Sequence, residues 1–73
     1  MTITLNEVHN ISEANYIVFS KGTLEFPIDI VFGKVYEIKK VDTELYGMQY
    51  FVIDEKGVDN YTSVIILPQK YYV

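Results

Sequence analysis

The side chains best suited to catalysis or metal binding are few and lie far apart along the chain. His9 is the sole histidine, and the chain contains no cysteine. A metal site would lack a second nitrogen or sulfur ligand, and a nucleophile would lack a partner base elsewhere in the chain. We therefore interpret His9 as a solvated loop residue and expect no metal and no cofactor.

The carboxylates are the next candidates. Asp54, Glu55 and Asp59 cluster around a turn signal, and Asp29 stands among apolar neighbours. The cluster could be an acid pair or a cation site, but a calcium loop needs more oxygen ligands at tighter spacing. Turn residues in water are the simpler interpretation, while Asp29 could cap the backbone or face a partner. Because no acid, base and nucleophile converge, the sequence predicts a protein that is not an enzyme.

Tyrosine carries the strongest functional signal. The chain has seven Tyr, more than so small a core can hide, because each buried hydroxyl needs a hydrogen-bond partner. Tyrosine is favoured at binding patches, and half-burial on a sheet is the structural alternative. We therefore predict a protein-binding face with an acidic rim. Its predicted residues are Tyr46, Tyr50, Tyr61, Tyr71, Glu44 and Asp59.

Length and charge limit the remaining classes of function. The 73 residues suffice for one domain, 1–73, and 49% of them are hydrophobic. Ten acids against six lysines give a net charge of −4 and leave no arginine. Because phosphate binding needs a basic face, we expect no nucleic-acid partner. We also expect self-association, because so small a core gains from a second copy.

Localisation follows from what the sequence lacks. No basic region followed by an apolar run opens the chain, and no apolar run approaches about 18 residues. We therefore expect no signal peptide, no membrane segment and a cytoplasmic location. Abundant Asn, Ile, Tyr and Lys are typical of an AT-rich genome, such as that of a low-GC bacterium or its phage.

Hydrophobic periodicity predicts the elements that must position these residues. The predicted strands are residues 2–6, 16–20, 23–26, 34–42, 48–54 and 58–67, with a last short strand at 72–73. Residues 6–15 could be a short helix or an irregular loop. Residues 54–57 predict a type I turn that ends in a left-handed Gly57, and residues 68–71 predict one tight turn after the ladder stops at Pro68. The sequence thus predicts an all-β barrel of five to six short antiparallel strands.

Residues 16–73 resemble the SH3-like barrel family. The segment Ile66–Tyr71 is similar to the family's apolar pair, Pro, two polar residues and Tyr that make one helical turn before the final strand. Gly33–Ile38 resembles the family's glycine-led second strand, and Leu24 with Phe26 resembles the apolar pair before its diverging turn. The chain has no tryptophan, which the family's peptide groove uses, so the resemblance carries over only Pro68 and Tyr71 of that groove.

The chain also resembles the short SH3-like proteins of Gram-positive bacteria and their phages, several of which bind a host protein. The resemblance implies a phage or prophage accessory protein that binds and inhibits a host bacterial factor. Two alternatives stay open. A structural component of a virion or larger assembly would form ordered rings at high concentration. An oligomer that sequesters a small molecule such as a nucleotide would melt at a higher temperature when that molecule is added.

Overall fold

The computed structural model describes residues 4–22 and 28–73. In these ranges the strands are β1 (Glu7–Val8), β2 (Tyr16–Phe19), β3 (Val35–Glu37), β4 (Lys39–Thr43), β5 (Gly47–Ile53), β6 (Asp59–Asn60) and β7 (Gln69–Tyr72). They form one antiparallel sheet of order β1-β7-β2-β3 and a second of order β4-β5-β6. The predicted β architecture is confirmed, but the pairings among the described strands do not close a barrel.

The first sheet brings the two ends of the chain together. Strand β7 pairs with β2 on one side and with β1 on the other. Beyond the strand ends, Asn6 and Val73 exchange two backbone hydrogen bonds of 3.2 and 2.9 Å, and the Ser20 N–H donates to the Pro68 carbonyl at 2.8 Å. A Cβ added at Gly22 would lie 3.0 Å from the Pro68 ring. A larger residue at this position would have to displace the Pro68 ring by a few tenths of an ångström, so the chain passes close to the start of β7.

A break at Ile38 divides the predicted strand 34–42 between the two sheets. Strand β3 pairs with β2, whereas β4 pairs with β5. Ile38 itself is buried, and its N–H donates to the Asn15 carbonyl at 2.9 Å. Ile38 thus connects the two sheets: it belongs to neither ladder, and its backbone donor is nevertheless satisfied.

The hairpin between β5 and β6 has the predicted turn. The Gly57 N–H donates to the Asp54 carbonyl at 3.0 Å, and the Asp54 N–H donates to the Val58 carbonyl at 3.0 Å. Gly57 has φ +77°, which a residue with a Cβ adopts only with strain. The Asp54 side chain adds to the turn, because its Oδ1 accepts the N–H groups of Lys56 and Val58 at 3.0 Å each.

The prediction of a strand through residues 58–67 is wrong. The ladder ends at Asn60, and Thr62–Ile66 form a helix, α1. Asn60 Oδ1 accepts the Ser63 N–H at 2.9 Å and caps the first turn. The helical spacing then buries Ser63 and Leu67 on one side and leaves Ile65 exposed. The β-branched run favours a strand locally, but the cap and this burial outweigh that preference.

Two further predictions change at the ends of the described chain. The tight turn predicted at residues 68–71 is wrong, because Gln69–Tyr72 form strand β7. The segment 6–15, for which the sequence allows a short helix or an irregular loop, contains strand β1 and one 3₁₀ turn at Ile11–Glu13. The strand predicted at 23–26 lies outside the described residues, as does the start of the strand predicted at 2–6, and residues 4–6 are not a strand.

The core lies between the two sheets and draws on both. Its buried hydrophobic residues are Ala14, Ile17, Phe19, Ile30, Tyr36, Ile38, Val52 and Leu67. Phe19 and Tyr36 meet as a tilted aromatic pair with ring centroids 5.9 Å apart. None of the helices in the described ranges has the length and apolar character needed to cross a membrane.

The cap at Asn60 gives a test of the helix. Asn60→Ala removes the acceptor for the Ser63 N–H and should lower the free energy of unfolding by about 1 kcal/mol. Asn60→Asp keeps an acceptor at the same place and should retain most of that stability. Urea unfolding followed by circular dichroism measures both variants, and equal losses for the two would contradict the capping role.

Candidate protein-interaction surface

Strand β5 separates two sets of side chains, because successive residues in a strand point to opposite faces. Val52 is fully buried, and Tyr50 packs against the core. Phe51, which lies between them in the strand, points outward. Phe51 contacts Tyr61, with ring centroids 4.8 Å apart and an interplanar angle of 33°. The outer side of the second sheet therefore carries an aromatic pair.

Aliphatic side chains extend this pair into a patch. Val41 lies opposite Gln49 in the ladder, so it shares the outward side with Phe51. Val41 and Ile53 are each 38% exposed, and Tyr61 is 37% exposed. We call the surface formed by Val41, Phe51, Ile53 and Tyr61 the Phe51 face. It is a half-exposed apolar surface on the side of the sheet that points away from the core.

An open cleft of about 400 Å³ borders this face at Tyr61. Residues 58–62 line one side, Ile28 and Asp29 line another, and Asp54 contributes from the hairpin turn. The Glu55 N–H donates to the Asp29 carbonyl at 2.9 Å and so ties the hairpin to the segment that carries Ile28. Tyr61 belongs both to the cleft and to the Phe51 face, so the two form one continuous surface.

The three carboxylates of the cleft differ in the groups that contact them. Asp29 lies 3.6 Å from the Lys56 ammonium. Asp54 accepts two backbone N–H groups through one oxygen. Asp59 is exposed and, among the described residues, has no side-chain hydrogen bond and no ion pair. Within the same ranges, no cluster of His, Cys, Asp and Glu is suited to hold a metal ion.

An ion pair holds the hairpin from the other side. The Lys34 ammonium donates to both carboxylate oxygens of Glu55, at 2.7 and 2.9 Å. These hydrogen bonds raise the pKa of Lys34 above its ordinary value; desolvation opposes them, and the Coulomb interactions with Glu55 and Tyr36 raise the pKa further. A raised lysine pKa means that the Lys34 charge adds to the stability of the fold at neutral pH, and that this contribution is lost as alkaline pH passes the folded-state pKa.

The structure separates the predicted tyrosines. Tyr46 is 77% exposed at the tip of the β4–β5 hairpin, beside the exposed Glu44. Tyr61 and Asp59 lie together at the cleft, and Asp59 is opposite Ile53, which stands seven residues, or about 23 Å, along the strand from Tyr46. Tyr50 points to the opposite side of β5, where the Lys40 ammonium lies 6.0 Å from its ring centroid. The predicted residues therefore do not form one face.

Tyr71 belongs to the core side of the first sheet. It packs against the buried cluster, and its hydroxyl accepts a hydrogen bond from Gln69 Nε2 at 2.8 Å. Two tyrosines that the sequence did not single out, Tyr16 and Tyr72, lie directly opposite each other on the outer side of that sheet. Tyr16 is 36% exposed, which matches Tyr61 closely.

Sequence reasoning missed Val41, Phe51 and Ile53. The segment Met48–Ile53 has an apolar or amphipathic side chain at almost every position, so it offers no alternation that could have identified them. Such a strand does not reveal from sequence which side is buried. Only the fold shows that Tyr50 faces the core and Phe51 faces outward.

Comparison of the chain with protein-family models, with curated proteins and with solved structures gives no match. The surface is therefore interpreted from its own chemistry.

The assignment of Tyr36 to the core and of Tyr46 to the exposed surface is testable. The Tyr36 hydroxyl accepts the Val31 N–H at 2.8 Å, and the Tyr36 ring is buried. Tyr36→Phe should therefore cost about 1 kcal/mol of unfolding free energy, the usual worth of one such hydrogen bond. Tyr46→Phe, the same change at an exposed ring, should leave it unchanged within about 0.5 kcal/mol. Equal effects in urea unfolding would contradict the assignment.

Proposed function

We propose that the chain is a non-enzymatic protein-binding module that engages its partner through the Phe51 face. The observation that carries this proposal is the Phe51–Tyr61 pair, which packs on the outside of a sheet rather than in the core. Contiguous exposed apolar patches on small proteins mark interaction sites. Aromatic anchors supply most of the binding energy in such interfaces.

We further propose that the fold is an SH3-like barrel. Three features support this: the strand split into β3 and β4 between two sheets, the hairpin at residues 54–57, and one helical segment before the final strand. The helical turn lies at Thr62–Ile66 and not at the predicted residues 68–71. The likeness therefore concerns the order of the elements, and a fold of this kind does not by itself name a partner.

The proposed partner is a host protein, and the proposed role is that of a phage or prophage accessory protein that inhibits a bacterial factor. The small SH3-like proteins that the sequence resembles motivate this role, together with the residue bias typical of an AT-rich genome. Inhibition by binding requires no catalytic group. The Phe51 face and the cleft beside it would supply the contact.

A pull-down from a lysate of a low-GC Gram-positive bacterium tests the proposal. The parent chain should recover one protein in stoichiometric amount. Tyr61→Ala should reduce the recovery at least about tenfold, because truncation of an interface anchor costs about 2 kcal/mol or more. Tyr46→Ala should weaken it less, because the hairpin tip lies away from the Phe51 face.

Tyr16→Ala is the matched control, because its ring is equally exposed but lies on the other sheet. It should recover the partner as well as the parent does. Melting curves confirm that each variant is folded. Recovery of no protein would count against the proposal, and so would equal losses for Tyr61→Ala and Tyr16→Ala.

A further inference from the structure

We propose that the partner presents a cationic, partly apolar segment that lies across the Phe51 face and inserts a lysine or arginine side chain into the cleft beside Asp59. This inference rests on the proposed function and gives the chemistry of the partner. It concerns the cleft between residues 58–62 and the hairpin turn, which is lined by Asp59 and Tyr61 of the predicted protein-binding face.

Charge complementarity indicates a cation. Three aspartates line the cleft, and Lys56 is the one cation paired with any of them in the described chain. Asp59 is exposed and has no side-chain hydrogen bond or ion pair among the described residues, and Asp54 accepts two backbone N–H groups through one carboxylate oxygen. The whole chain carries a net charge of −4, so its field attracts a basic partner at a distance as well.

The walls of the cleft suit the stem of such a side chain. Ile28 and Val58 line it together with the Tyr61 ring, and Val58 is 57% exposed. Lysine and arginine bury their methylene stems along apolar surface while the charged head meets polar groups. A cation in the cleft would therefore contact the apolar walls with its stem and the Asp59 carboxylate with its charged head.

The chain already places lysines over tyrosines. The Lys34 ammonium lies 5.2 Å from the Tyr36 ring centroid, and Lys40 lies 6.0 Å from that of Tyr50. Tyr61 has no such cation among the described residues, although its ring is available at the mouth of the cleft. A partner cation would give Tyr61 the contact that the two other rings obtain within the chain.

A second copy of the chain fits the cleft less well. A symmetric dimer formed through this surface would bring two acidic clefts of the same charge toward each other. That repulsion opposes association for a chain with a net charge of −4. Self-association is therefore an outcome that the test must distinguish from binding of a basic segment.

Three peptides of equal length and matched apolar content, each labelled with the same fluorophore at the N-terminus and amidated at the C-terminus, serve as probes: SLRLRLS, SLQLQLS and SLELELS. Fluorescence anisotropy gives their affinities, and ¹⁵N correlation spectra locate the contact. The arginine peptide should bind most tightly and shift the amides of Phe51 and of residues 58–62. The neutral peptide should bind at least about tenfold more weakly, and the acidic peptide should not bind.

Two variants that each replace one aspartate with asparagine test where the cation of the peptide binds. Asp59→Asn should weaken the arginine peptide about fivefold, because it removes the nearest unpaired carboxylate. Asp42→Asn is the matched control, since Asp42 is exposed on β4 opposite Met48 and points away from the Phe51 face. It should change the affinity less than twofold.

Equal binding of the arginine and neutral peptides would overturn the inference, as would equal effects of the two variants. Binding of no peptide by the chain would also overturn it. A different result would assign the surface to a second copy of the chain: sedimentation shows self-association that rises with concentration, Tyr61→Ala abolishes it, and no peptide binds. In each case, a pull-down partner whose recovery depends on Tyr61 would leave the proposed function standing.

Discussion

The docking of β7 between β1 and β2 is the constraint on which the rest of the structure depends. Through this contact the strand at the C-terminal end of the chain pairs with β2, which follows the 3₁₀ turn at Ile11–Glu13. In the inward row, Tyr71 lies between Val8 and Ile17, and Ile17 lies opposite Tyr36. These side chains connect all four strands of the first sheet and pack that sheet against the core. Without β7, the edges of β1 and β2 would be unpaired and exposed.

This docking determines what happens before β7. Because Pro68 must reach Ser20 and pack beside Gly22, the chain after β6 has to cross from the second sheet to the first. The short helix α1 makes this crossing, and buried Leu67 anchors its end. The helix ends the ladder at Asn60, so β6 is only two residues long. Tyr61 is thereby turned onto Phe51, and the cleft opens beside it.

The sequence predicted most of what local chemistry controls. The hairpin at residues 54–57 was predictable because Gly57 stands where a left-handed residue is needed, and β2 was predictable from its run of β-branched and aromatic residues. The helix at Thr62–Ile66 was not, because its β-branched residues favour a strand and the burial of Leu67 that outweighs them is a tertiary effect. The proposed interaction surface was predictable only in part. Tyrosines outnumbered their possible sites in the core, but the side of β5 that faces solvent depends on packing. The structure places Asp59 and Tyr61 on the proposed surface beside Phe51, which the sequence did not single out, and places Tyr50 on the core side of β5.

Native-state hydrogen exchange of the β7 amides tests the central claim most directly. If β7 holds the two ends of the chain together, its amides should exchange only through global unfolding, with the same free energy as those of β2 and β5. Added urea should then lower that free energy with the same slope in all three strands. Exchange of residues 69–72 through a local opening, at a clearly lower free energy and with little dependence on urea, would contradict the account.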